Sequence, residues 1–248
     1  MGAIDPLTAI PLQLTCVCRG ATGGSTGTGF VVHHKGMHYL ITNWHVVSGR
    51  HPETDQPIDN VTGLADPDLI HIWHHDVSQL GRWLLKAEQL RDPSTGVPRW
   101  LEHPSGRAVD VVALALPDYP DVKFYVLDLT LASTDVAISP SEPVSIIGFP
   151  FGLSVDGKFP IWKTGHVASD LDLNFSGKPA FLIDATTTSG MSGSPVMARR
   201  IGAYRSSQSA LNVGGEANRL LGVYSGRIRA ESDLGIVWKP DVLDAILP

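Results

Sequence analysis

The sequence predicts an all-β fold, a barrel or a sandwich rather than a parallel α/β sheet. Three observations lead there. Short apolar runs rich in β-branched and aromatic residues recur along the chain, the pattern of strands. The 25 glycines and 18 prolines among 248 residues punctuate those runs with turns. No long amphipathic helix alternates with the runs, so crossover-linked parallel strands are not expected.

The elements follow in order. Gly29-Phe30-Val31-Val32 and His38-Tyr39-Leu40-Ile41-Thr42 make an early pair of strands. Leu69-Ile70-His71-Ile72-Trp73 and Val109 to Leu116 come next. Leu80 to Leu90 fits a helix or a strand pair equally well. The Pro- and Asp-rich stretch 117–143 marks a crossing between two halves. Beyond it, strands are expected at Val144 to Gly148, Ala180 to Ile183, Pro195 to Met197, Leu220 to Tyr224 and Gly235 to Trp238. Asp241 to Leu247, preceded by Pro240, is expected to form a short terminal helix.

Charge narrows the function. The formal net charge is −6 and there is no Lys/Arg-rich run. Nucleic acid and anionic membrane are therefore not expected partners. The start Met1-Gly2-Ala3-Ile4-Asp5-Pro6 has no basic region and no long apolar stretch, so no signal peptide is expected there. A myristoylation signal needs Ser or Thr where Pro6 stands. No apolar run approaches the roughly 18 residues of a membrane span, and the expected location is the cytoplasm. The two cysteines, Cys16 and Cys18, sit two apart, expected on one strand. That spacing does not suit a disulfide, so no disulfide framework is expected.

Three segments carry chemistry. In Leu40-Ile41-Thr42-Asn43-Trp44-His45-Val46-Val47 a histidine follows a strand end. In Val109-Asp110-Val111-Val112-Ala113-Leu114 an acid opens a strand that should be buried. In Ser189-Gly190-Met191-Ser192-Gly193-Ser194-Pro195 a serine sits between glycines in a tight turn. A serine hydroxyl is a weak nucleophile and needs a base to take its proton. Histidine suits that task because its pKa lies near neutrality. A buried carboxylate fixes the histidine tautomer and stabilises the imidazolium. Glycines flanking the serine let backbone N–H groups converge on an oxyanion. The order His45…Asp110…Ser192 is the chymotrypsin order, distinct from those of subtilisins and α/β-hydrolases.

These segments resemble bacterial trypsin-like peptidases, including the HtrA (high-temperature-requirement) proteases. Thr42-Asn43-Trp44-His45-Val46-Val47 is similar to their T-N-x-H-V-V, and Gly27-Thr28-Gly29-Phe30 to their G-S-G-F. Asp110-Val111-Val112-Ala113-Leu114 resembles D-[IV]-A-[VL]-L, and Gly148-Phe149-Pro150-Phe151-Gly152 resembles G-x-P-x-G. Thr164 to Ser169, Asp184-Ala185 through Pro195, and Leu221 to Ser225 follow in register. The resemblance implies two antiparallel six-stranded β-barrels, chymotrypsin-like, spanning 1–125 and 126–248, the second ending in the short C-terminal helix. It implies oxyanion donors at the backbone N–H groups of Gly190 and Ser192. It implies that strand 221–226, with Tyr224, Ser225 and Gly226, pairs with an extended substrate. It places Thr186, Thr187, Thr188 and Gly235 around the primary specificity pocket, which then lacks a buried charge at its base and disfavours Lys and Arg.

Two departures stand out. Met191 replaces the usual Asn or Asp, which makes activation by a newly cut N-terminus doubtful. The chain ends at Pro248 with no PDZ domain in view, so peptide-triggered assembly is not carried over. Elsewhere, Gly23 to Gly29 lacks the Gly-Lys-Ser/Thr ending of a phosphate loop and leads into a strand. His71, His74, His75 and Asp76 read as a strand entering a polar turn rather than a metal shell, and His33, His34 and His38 likewise. Arg227 and Arg229 read as solvated charges or as a preference for acidic groups.

The expected function is therefore a serine endopeptidase needing no metal or cofactor. Its expected partners are a protein or peptide substrate and, for regulation, an activating or target protein. The alternatives are a latent or inactive protease-fold binding protein that needs a partner, and a non-proteolytic esterase.

Overall fold

The computed structural model describes residues 4–18, 24–58, 65–208, 210–229 and 231–248. Its first half contains β1 (Pro11–Val17), β2 (Ser25–His34), β3 (Met37–Thr42) and a five-residue helix α1 (Trp44–Ser48). These are followed by β4 (Leu69–Asp76), β5 (Gln79–Gln89), β6 (Trp100–Glu102), β7 (Val112–Leu116) and β8 (Val122–Lys123). The second half contains β9 (Pro143–Gly148), β10 (Ile161–Val167), β11 (Ala180–Asp184), β12 (Pro195–Arg205), β13 (Leu211–Arg227), β14 (Leu234–Trp238) and helix α2 (Asp241–Ile246). Residues 1–3, including Gly2, and Gly23 of the early glycine run lie outside the described residues.

The second half closes into a six-stranded barrel in the order β10-β11-β14-β13-β12-β9. The first half does not close. It is an eight-stranded antiparallel sheet in the order β5-β4-β1-β2-β3-β7-β6, with β8 added to β4. Two closed six-stranded barrels are expected from the sequence, and the structure corrects the first. Closure would require a β5–β6 ladder, and among the described residues pairing there stops at the hairpin: the bridge Arg91–Pro98, flanked by Asp92 N–H on the Val97 carbonyl and Arg99 N–H on the Leu90 carbonyl. β6 is only three residues long and pairs with β7, so it offers no long edge to β5.

The undecided segment 80–90 is β5, a single long strand paired with β4 from Leu69–Gln89 to His74–Leu84. Two strands run further than their apolar cores announce. β12 and β13 continue past the barrel as a two-stranded arm that pairs Arg205 with Leu211 and leaves Ile201, Leu211 and Val213 exposed. The strand expected at the cysteines is β1, which begins at Pro11 and carries buried Cys16 but ends at Val17, so Cys18 lies just past it. Both cysteines are free.

Apolar packing falls into three clusters. One fills the first sheet, around Leu14, Leu40, Val47, Ile72 and Leu114. One fills the barrel, around Ile146, Phe181, Ile183, Val196 and Val237. The third joins the halves: Phe30, Ile41 and Val111 of the first meet Ile147, Met197, Val223 and Trp238 of the second. Helix α2 buries Val242, Leu243 and Ile246 in this shared core. Each buried side chain of this size contributes roughly 1.5–3 kcal/mol, so the shared core holds the two sheets in one register.

Histidines 71, 74 and 75 lie on β4. Alternation buries Ile70, Ile72 and His74, and His75 is buried as well, packed against Trp83, Tyr125 and Phe159. Among the described residues no group of His, Cys, Asp or Glu is arranged to hold a metal ion. No described helix is long and apolar enough to cross a membrane.

Candidate active site

Each candidate side chain is delivered by a local device. β3 ends at Thr42, and Asn43 occupies the N-cap position of α1 without capping it. Its side-chain amide instead donates to the Asp110 carbonyl at 2.6 Å. His45 lies in the first turn of α1, not at a strand edge. Gly49 ends that turn in the left-handed conformation (φ 66°) with its N–H on the His45 carbonyl, the usual glycine stop.

Asp110 precedes β7 and is buried, 1% exposed. Its carboxylate collects three donors. The His45 N–H reaches Oδ1 at 2.9 Å, His45 Nδ1 lies 2.6 Å from Oδ2, and the Ser225 hydroxyl donates to Oδ2 at 2.5 Å. Three donors offset the cost of burying this carboxylate, and with Nδ1 bonded to it the other imidazole nitrogen of His45 is left to take a proton.

Ser192 sits in the turn before β12. Gly190 and Gly193 flank it at φ 88° and 87°, a region L side chains avoid. A Cβ on Gly193 would fall 2.0 Å from the Thr28 carbonyl, and one on Gly190 would fall 2.2 Å from the Phe149 carbonyl. The turn is pinned on both sides. Thr28 N–H donates to the Ser192 carbonyl at 2.8 Å, and Gly193 N–H donates to the Tyr224 carbonyl at 2.9 Å. Met191, where an acid is usual, is fully buried in the barrel core; apolar packing holds the turn at that position.

Thr28 is a site residue that sequence reasoning missed. It is fully buried. Its hydroxyl donates to the Gly190 carbonyl at 2.7 Å and accepts the Phe149 N–H at 3.2 Å. One side chain of β2 thus ties the first sheet to both the 149–152 turn and the 190–193 turn. The signal was the Gly27-Thr28-Gly29-Phe30 motif, which marks the strand but not the hydroxyl's task.

The Ser189 carbonyl accepts the Phe151 N–H at 2.6 Å. In a trans peptide the C=O and the following N–H point opposite ways, so this bond turns the Gly190 N–H away from the 149–152 turn. Among the described residues neither the Gly190 nor the Ser192 N–H meets an acceptor. The Ser192 hydroxyl donates to the Ser225 carbonyl at 2.8 Å, and no hydrogen bond joins it to His45.

Three depressions meet at Ser192. One runs along Ile58, Glu53, Gly226 and Ile228 with a volume of about 290 Å³. One lies on the side of Ser25, Thr26 and Gly190. The third, about 190 Å³, is walled by Thr187, Thr188 and Ser189 and by Tyr224, Gly226 and Arg227. Of the expected specificity residues, Thr186 is exposed and does not line this third pocket. Gly235 does not line it either. It lies behind the Tyr224 ring, where a Cβ would come within 2.6 Å of the ring edge. Tyr224 is buried with its hydroxyl on Thr187. Burial pushes its phenol up, against the pull of Thr187 and of the Arg227 charge.

The edge of β13 beside Ser192 is open. Ile228 N–H donates to the Leu234 carbonyl, so the next pair, Arg227–Gly235, is the non-hydrogen-bonded one of the antiparallel ladder. The Arg227 main chain therefore faces away from β14.

The comparisons agree with this architecture. Residues 27–202 match the model of the trypsin-like peptidase domain, and the chain belongs to that family. Among solved structures it is similar to the active form of the Rv3671c protease from M. tuberculosis. The identity is 17% and the TM-score 0.51, covering 97% of this chain and 80% of that one. An inactive form of the same protease, with a serine-to-alanine change, is 16% identical with a TM-score of 0.47, covering 98% and 85%. No curated protein matches the sequence.

Proposed function

We propose that the protein is a serine endopeptidase that cleaves protein or peptide substrates through an acyl-enzyme. Ser192 is the nucleophile, His45 the general base and then acid, and Asp110 the group that orients His45. The halves 1–125 and 126–248 supply the base pair and the nucleophile respectively. The observation that carries the reading is the bonded set Asp110–His45 beside the Ser192 turn, with the carboxylate buried and its three donors satisfied.

An extended substrate pairs with the open edge of β13, using the Ser225 carbonyl and the Arg227 main chain. A substrate N–H that takes the Ser225 carbonyl displaces the Ser192 hydroxyl, whose present acceptor is that same oxygen. The freed hydroxyl turns to His45, consistent with catalytic hydrogen bonds that tighten only when substrate is bound. Attack on the scissile carbonyl passes the Ser192 proton to His45 and the negative charge to the carbonyl oxygen. The free N–H groups of Gly190 and Ser192 receive that oxyanion; one such donor is worth about 2.7–4 kcal/mol of transition-state stabilisation. His45 then protonates the leaving amine, and water repeats the sequence to release the acid.

The test is fluorophosphonate labelling of the purified protein beside Ser192→Ala, with the modified peptide mapped by mass spectrometry. One label per chain, on Ser192 and absent from the variant, is expected. Well-folded protein that takes up no label contradicts the proposal and favours a latent or inactive binding protein.

A further inference from the structure

Resting on the peptidase reading, we propose that the 190 Å³ pocket beside Ser192 receives an acidic side chain, so that cleavage follows glutamate or aspartate. Position comes first. The pocket shares Ser192 with the cleft and is walled on one side by the β13 edge at Tyr224, Gly226 and Arg227. A substrate strand lying on that edge drops the side chain of its reacting residue between this edge and Thr187–Ser189.

Donor chemistry comes second. Tyr224 and Thr187 share one hydrogen bond between two hydroxyls. One O–H proton serves that bond, and the other is left for an acceptor. Thr188 adds a buried hydroxyl oxygen with no hydrogen-bond partner among the described residues. An unpartnered hydroxyl beside a pocket is costly unless a ligand satisfies it.

Charge comes third. Arg227 is exposed on the pocket wall, with no ion pair or side-chain hydrogen bond among the described residues. The other cations of the cleft are engaged: Lys178 with Glu53 at 2.9 Å and Arg107 with Asp55 at 2.8 Å. No carboxylate lines the pocket, and Asp110 nearby is held by His45 and Ser225. Hydroxyl donors and a free guanidinium, with no anion, suit a carboxylate. A lysine side chain meets a like charge there, and an aliphatic one leaves the hydroxyls unsatisfied.

Two measurements test this. The first compares kcat/KM for internally quenched peptides that differ only in Glu, Gln, Ala, Leu or Lys before the scissile bond. Glu is expected to exceed Gln by up to about fivefold, the size of an exposed charge pair, and Lys to be refused. In Arg227→Gln the Glu-to-Gln ratio is expected to fall to about one. The second needs no catalysis: calorimetric binding of product-like peptides ending in Glu, Gln, Ala or Lys to Ser192→Ala. Tighter binding of the Glu peptide, lost on adding Arg227→Gln, supports the proposal. Equal binding of the Glu and Gln peptides, or preferred cleavage after Ala or Leu, overturns the acidic pocket and leaves the peptidase standing. Preferential binding of the Glu peptide without cleavage of any substrate supports the pocket and counts against the peptidase.

Discussion

Replacing Thr28 by valine removes one oxygen and keeps the shape. The consequence follows from its two bonds. The Gly190 carbonyl loses its donor at 2.7 Å and the Phe149 N–H loses its acceptor at 3.2 Å. Phe149 and Thr28 are both fully buried, so water cannot replace the hydroxyl cheaply. Each stranded group costs about 1–3 kcal/mol, and the pair about 3 kcal/mol together. For a chain of this size 1 kcal/mol moves the midpoint by about 2–4 °C. Thr28→Val is therefore expected to melt about 9 °C below the parent. Thr28→Ser keeps both bonds and should lose far less. Thermal unfolding followed by tryptophan fluorescence reads both variants, and fluorophosphonate labelling reads the turn itself. Slower labelling of Thr28→Val is expected, because the hydroxyl anchors the carbonyl of Gly190. A valine variant that melts within about 2 °C of the parent and labels at the same rate refutes the argument that Thr28 ties the two turns together.

Ser225→Ala removes one of three donors to the Asp110 carboxylate; a bond to a charged group is worth about 1.5–3 kcal/mol, so kcat should fall about 10- to 100-fold in steady-state assays. Gly193→Ala places a Cβ 2.0 Å from the Thr28 carbonyl at φ 87°, and it should abolish labelling and lower the melting temperature in the same preparation. His74 and His75 are both held down to about 4, mainly by burial. The unfolded chain binds protons near 6.5 where the folded chain does not, so stability is complete above that pH and is lost as pH falls from about 6.5 to about 4. His74 contributes about 3 kcal/mol to that loss. Urea unfolding at pH 7 and pH 4.5 reads it, and a stability independent of pH over this window counts against neutral buried imidazoles.

The legible part of the fold was the part whose periodicity is set by burial. β2, β3, β7, β9, β11 and β14 carry apolar runs that face a core, and the sequence announces them. β5 was ambiguous because it is only half-buried along most of its length, so its pattern follows neither period. The β12–β13 arm was hidden for the same reason: its outer residues face solvent on both sides, and only pairing defines it. That the first sheet stays open depends on how few residues of β6 pair, three of them and all with β7, a relation that no local pattern carries.

The candidate site divides in the same way. His45, Asp110 and Ser192 were legible because each needs a distinctive neighbour: a strand end, a buried strand, a glycine-flanked turn. Thr28 and Asn43 were not, since their work lies in contacts to backbone groups 162 and 67 residues away. The specificity wall was half legible. Thr187, Thr188 and Tyr224 line the pocket beside Ser192, but the place of Gly235 behind the Tyr224 ring depends on side-chain packing across β13 and β14.

The central claim is that His45, held by Asp110, activates Ser192. The most direct test is the rate of fluorophosphonate acylation of Ser192 in the parent and in folded His45→Ala. A drop of at least about a thousandfold, with labelling still confined to Ser192, is the predicted result. Equal rates in the two proteins contradict the claim.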